Sequence, residues 1–129
     1  MVYTKLRQGV QQKSFIAGLG ENEMAAYFIV NYSITNPSGY KPYVPAVIPI
    51  LQAHDAEILV ADYESEALEG EPGSVTVVAK FKSKEALRAW YDCPEYQAIV
   101  HLRTDNSEGT AAIAGEFDLE HNMRVLEAL

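Results

Sequence analysis

Trp90-Tyr91-Asp92-Cys93-Pro94-Glu95-Tyr96-Gln97, closing with Leu102-Arg103, sets three aromatics, a helix stop and a helix restart within eight residues. Upstream, residues 83–91 read as an amphipathic helix, with Ser83 as cap and Ala86, Leu87 and Trp90 one turn apart. Pro94 cannot continue that helix. Asp92 is expected to cap the restart, with Glu95 three positions on as its capping-box partner. The second piece, residues 95–105, carries Tyr96, Ile99, Val100 and Arg103 along one stripe.

Four segments around this unit alternate β-branched and aromatic residues and predict strands: residues 25–34, 57–63, 74–82 and 109–118. In the first, Phe28, Val30, Tyr32 and Ile34 share one face, and Tyr27, Ile29, Asn31 and Ser33 the other. Between the first two strands, residues 38–53 predict a helix with Asn36 as cap and Pro37 at its first position. Pro42, Pro45 and Pro49 predict an irregular first half and a bend, with Val44, Val47, Ile48 and Leu51 facing the core. Residues 65–73 form an acidic loop whose Glu71-Pro72-Gly73 supplies turn chemistry. A short helix at 119–129 gathers Leu119, Met123, Leu126 and Leu129 on one side. Residues 1–23 read as a polar, mostly irregular extension, leaving residues 24–118 as one domain.

The order β-α-β-β-α-β is that of the α+β, ferredoxin-like split motif: a four-stranded antiparallel sheet with two helices on one face. An antiparallel sheet ordinarily shows a polar second face to water. Here that face offers Tyr27, Ile29, Thr76, Val78, Ala112 and Ala114, which are too apolar for a solvated surface. Covering roughly 600 Å² per subunit at about 25 cal/mol/Å² gives a gross term near 15 kcal/mol before association costs. The expectation is a homodimer through the open sheet face, forming a dimeric α+β barrel. Asn31, Lys80 and Glu116 are expected to meet at its mouth.

The whole chain narrows the classes of function. Its 129 residues fit one domain with a moderate core. Ten basic against eighteen acidic residues give a net charge of −8, which opposes phosphate backbones and anionic membranes. No nucleic-acid or membrane partner is therefore expected. The single Cys93 permits no internal disulfide, and residues 1–23 lack the apolar core of a secretory signal, so a cytoplasmic location is expected.

Tyr40 and Tyr43 after Asn36-Pro37, Glu69-Gly70, and the run from Trp90 to Gln97 with Leu102-Arg103 resemble the domain-of-unknown-function family numbered thirteen-thirty. The resemblance covers about residues 25–117 and implies membership of the dimeric α+β barrel superfamily, a homodimer, and no established activity. The chain departs from that pattern at Asn36 (commonly Asp), at Asp55-Ala56 (commonly a Gly pair) and at Ala61, where an arginine is frequent. An anion held by that arginine is not expected here in the same way.

Tyr43, Trp90 and Tyr96 are candidates to line a ligand cleft between helices and sheet, although aromatics at this spacing also serve as plain core. Arg103, a fixed cation with five donors, would anchor a carboxylate, or else pair with Glu95, Asp105 or Glu116. Asn31 would donate to a developing oxyanion. His54, His101 and His121 lack ligand spacing, Cys93 has no histidine placed beside it, and residues 64–71 read as a solvated acidic loop. No metal or tightly held cofactor, haem included, is expected. Two functions follow: binding or converting a small aromatic or carboxylated metabolite in the cleft, or a non-catalytic homodimeric structural module.

Overall fold

Strand β1 (Ala26–Ile34) runs between two antiparallel neighbours, and its pairing fixes everything that packs on it. A computed structural model describes residues 24–129; the irregular extension expected at 1–23 lies outside the described residues. After β1 come α1 (Pro37–Tyr40), α2 (Tyr43–Ala53), β2 (Glu57–Asp62), β3 (Val75–Phe81), α3 (Lys84–Asp92), α4 (Pro94–Gln97), α5 (His101–Thr104), β4 (Ser107–Gly115) and α6 (Leu119–Glu127). The sheet order β2-β3-β1-β4, antiparallel throughout, is that of a ferredoxin-like α+β fold.

Period-two alternation sorts the faces as the sequence predicts. Phe28, Val30 and Tyr32 stand opposite Ala79, Val77 and Val75 and face the helices. Val47 and Leu51 of α2, Leu87 and Trp90 of α3 and Tyr96 of α4 close over them. Trp90 is the hub, with its ring 4.3 Å from Tyr96, 5.1 Å from Phe28 and 5.4 Å from Phe81. Offset and edge contacts of this kind add to the burial of large apolar area. The other face carries Tyr27, Ile29 and Asn31 of β1 beside Thr76, Val78 and Lys80 of β3, with Val60 of β2 and Ala112 and Ala114 of β4 alongside. Ile29 is 39% exposed and Val60 40%.

Several local expectations are corrected. The helix expected at 38–53 is two helices, α1 and α2, with Pro42 at the junction as the residue preceding Tyr43. Tyr43, not Ile48, completes the buried side of α2, because starting the helix at position 43 puts 43, 47 and 51 on one stripe. Asn36 does occupy the cap position of α1, but its side chain makes no capping bond and reaches Asn106 Oδ1 instead, at 3.1 Å. At the restart it is Cys93, not Asp92, that caps: the Tyr96 N–H donates to Cys93 Sγ at 3.4 Å. Asp92 ends α3 and pairs with Arg88 one turn back. The single helix expected at 95–105 is divided into α4 and α5 by tight turns, where Ile99 N–H donates to the Tyr96 carbonyl and Leu102 N–H to that of Ile99. The stripe survives that division, since Tyr96 and Arg103 are both buried.

Asn31, Lys80 and Glu116 do not gather. Lys80 stands opposite Tyr27, four residues along β1 from Asn31, or about 13 Å at the strand rise. The Glu116 carboxylate accepts the Ala25 N–H at 2.8 Å.

Candidate functional site

The helix-facing side of the sheet is not filled to the surface. Under α2 lies a cavity of about 120 Å³. Its floor is Phe28, Val30 and Tyr32 of β1 with Val77 and Ala79 of β3, and its roof is the α2 stripe from Tyr43 to Leu51. Tyr40, Trp90 and Arg103 also line it, and Ile58, Ala61 and Tyr63 form the β2 side. Those three share a face because a bulge between Ile58 and Val60 turns the strand by one residue. Ile48, Ile58 and Tyr63 are 37%, 42% and 42% exposed, which places the mouth between α2 and β2.

Arg103 is the one charged residue lining this cavity. It is brought there by the Tyr96 stripe, seven residues on, and Nη2 donates to Tyr96 Oη at 3.5 Å. Its guanidinium carbon lies 5.9 Å from the ring centre of Tyr32 and 6.0 Å from that of Tyr43, both at cation–π range. Tyr43 and Tyr96 share a hydrogen bond of 2.8 Å between their hydroxyls. A second chain of phenols runs inward from the mouth: Tyr63 to Tyr40 at 2.7 Å, then Tyr40 to Tyr32 at 2.5 Å.

The structure thus unites four of the five residues singled out by sequence, Tyr43, Trp90, Tyr96 and Arg103. Asn31 stands apart on the opposite face. Its Nδ2 donates to the Gly73 and Val75 carbonyls at 3.0 and 3.1 Å and to Thr76 Oγ1 at 3.0 Å, and its Oδ1 accepts the Gly73 N–H at 2.7 Å. That amide ties the loop before β3 to β1. None of Glu95, Asp105 and Glu116 pairs with Arg103: among the described residues the ion pairs are Arg88–Asp92 and Arg124–Glu120. Sequence reasoning missed Tyr32, Tyr40 and Tyr63 as site residues. The available signal was a phenol on an inward face, because a buried tyrosine hydroxyl demands a partner.

Burial governs the electrostatics. It pushes Tyr32 up to about 12, partly offset by its hydrogen bond with Tyr40. Burial, then the bonds to Tyr32 and Tyr63, raises Tyr40, and burial with the neighbouring Tyr96 raises Tyr43. For Arg103 burial works against the cation, but the Tyr96 and Tyr43 phenols outweigh it and hold the pKa above its ordinary value. Tyr32, Tyr40 and Tyr43 stay neutral and the guanidinium charged across the physiological range.

A pH dependence follows. The three raised phenols bind protons more tightly folded than unfolded, so their contribution is complete below the unfolded value near 10 and falls as pH rises toward the folded values. At about 1.4 kcal/mol per pH unit for each, three phenols remove roughly 4 kcal/mol per unit above pH 10. Phenolate absorbance from these residues is expected to appear together with loss of circular dichroism. Full tyrosine titration with the fold intact would refute their burial.

Among the described residues no helix is long and apolar enough to cross a membrane, and no group of three or more His, Cys, Asp or Glu side chains gathers to hold a metal ion.

A family described as a domain of unknown function (DUF1330) matches residues 25–117. Among solved structures the chain is similar to RPA0582, a protein of unknown function from Rhodopseudomonas palustris, at a TM-score of 0.63 and 13% identity, covering 74% of this chain and 85% of that one. It is similar to a dimeric ferredoxin-like protein of unknown function from Thermobifida fusca, at a TM-score of 0.54 and 17% identity, over 73% and 92% of the two chains. SnoaB, a cofactor-independent oxygenase from Streptomyces nogalater, is similar at 0.54 and 9% identity, over 74% and 95%. These likenesses are of fold. No curated protein matches this chain in sequence.

Proposed function

The chain belongs to the DUF1330 family, and on that premise we propose that it binds or converts a small aromatic or carboxylated metabolite in the cavity under α2, as a homodimeric α+β barrel in the cytoplasm without a tightly bound cofactor. The observation that carries this reading is the cavity itself. Apolar walls with a few convergent polar groups are the usual make-up of a small-molecule site, and here Arg103 and the Tyr43 phenol line the cavity, with the buried Tyr96 hydroxyl bonded to both. At about 120 Å³ it suits a single ring or a short chain, since an engineered cavity of about 150 Å³ accepts benzene.

A thermal-shift screen against a few hundred metabolites tests the reading. A ligand present at 100 times its Kd adds about 2.7 kcal/mol, which raises the melting temperature by several degrees in a domain of this size. Carboxylates and phenols are the expected hits. Silence across the panel would leave only a structural role for the aromatic cluster.

The uncovered sheet face supports the homodimer. Ile29 at 39% exposure and Val60 at 40% lie on it. A second copy set sheet to sheet would remove that area from water. Ile29→Glu would bury a carboxylate at the centre of the face, so light scattering at micromolar concentration is expected to give twice the chain mass for the parent and the single-chain mass for the variant. A parent of single-chain mass ends the dimer proposal.

A further inference from the structure

We infer that the ligand of this cavity is a singly charged carboxylate no larger than one ring, received by Arg103, Trp90 and the Tyr43 phenol; the inference rests on the reading that the cavity binds a small metabolite.

What the cavity lacks is acceptors. Arg103 is only 6% exposed and has no carboxylate partner among the described residues. A cation removed from water without a counter-ion is costly unless something pairs with it. Its Nε–H is buried and without an acceptor, and so is Trp90 Nε1–H. Both residues line the cavity. A third donor follows from counting protons. Tyr43 and Tyr96 share one hydrogen bond, and Tyr96 Oη also accepts from Arg103. With Tyr96 as the donor in that pair, Tyr43, which lines the cavity, keeps a hydroxyl proton without an acceptor. These donors and one unbalanced positive charge belong to residues that line one cavity.

A carboxylate supplies the complement: two oxygens, about four lone-pair positions and one negative charge. Its planar fork matches the guanidinium edge. A dianion such as phosphate would leave an excess negative charge among neutral phenols and apolar walls, where desolvation is unfavourable. A neutral amide of the same shape offers one acceptor oxygen and brings two donors into a site already rich in them. The cavity volume equals about four waters at roughly 30 Å³ each, so the carboxylate occupies the Arg103 end and a short chain or single ring extends toward Tyr63.

Trp90 is the sole tryptophan, and its indole lines the cavity, so its fluorescence reports occupancy directly. The test titrates the intact protein with propionate and benzoate, each against its neutral amide, at constant ionic strength with chloride as the control anion. Saturable change with an acid is expected, at least tenfold tighter than with the matching amide, and none with chloride. Equal binding of acids and amides overturns the carboxylate assignment while leaving a small-molecule pocket. Competition by chloride overturns it in favour of general anion binding. No response by fluorescence or calorimetry to any acid or amide overturns both the inference and the reading beneath it. Trp90→Phe, followed by calorimetry, supplies a second arm: the acids are expected to weaken about tenfold, and by more than the amides. Equal loss for both assigns Trp90 to the pocket wall alone and overturns its place among the donors.

Discussion

Arg103→Met is expected to melt within a few degrees of the parent protein, while binding carboxylates about a hundredfold more weakly. The guanidinium is buried among phenols, with one long hydrogen bond of 3.5 Å to Tyr96 and no carboxylate beside it. Replacing a buried charged group by an apolar side chain of similar reach is commonly neutral or stabilising, by about 1–4 kcal/mol, because the desolvation penalty disappears. The cation–π contacts to Tyr32 and Tyr43 oppose this by about 1–2 kcal/mol each, so the two effects nearly cancel and a change within about 1 kcal/mol is the expected balance. The ligand loses its charge partner and two forked donors, and charge-assisted bonds contribute about 1.5–3 kcal/mol. Thermal denaturation and calorimetry on the same preparation read both effects. A fall in stability of several kcal/mol would identify Arg103 as a structural tie between α5 and the tyrosines.

Gly109→Ala is expected to cost about 3 kcal/mol or more and to lower the melting temperature by roughly 10 °C. Gly109 stands directly opposite Tyr32 in the β1–β4 ladder. A Cβ added there would overlap the Asn31 carbonyl oxygen and lie 2.5 Å from both Tyr32 Cα and Cβ. These atoms belong to the central strand, paired on both sides, so they cannot recede without opening a ladder. Whatever shift occurs moves Tyr32, which ends the phenol chain. Gly115→Ala is the control: its nearest new neighbour is the flexible Lys84 Cε at 3.5 Å, and a change within about 0.5 kcal/mol is expected. Equal behaviour of the two variants in chemical denaturation would show that β4 is loosely held.

The alternation of residues 26–34 and 75–81 was enough to place the strands, sort their faces and expose the apolar second side. The stripe from Tyr96 to Arg103 was readable too, because spacings of three, four and seven persist through two short turns. Cap identity was not, since a thiol is a weak acceptor and Asp92 is the stronger capping type by preference. The purpose of Asn31 was hidden because its partners lie 42 to 45 residues away in a loop and the start of β3. The tyrosine chain was hidden for the same reason: Tyr63 reaches Tyr40 from 23 residues away, across a helix and a bulged strand. Periodicity reports which way a side chain points, and not which other side chain it will meet.

Three hydroxyls in a row with two bonds between them have two settings in which every O–H runs the same way. With every O–H aimed outward, Tyr32 gives its proton to Tyr40 and turns lone pairs toward its own end of the cavity. With every O–H aimed inward, Tyr63 at the mouth starts the row and Tyr32 has a proton to offer. The polarity of the cavity floor can therefore reverse while every heavy atom stays where it is.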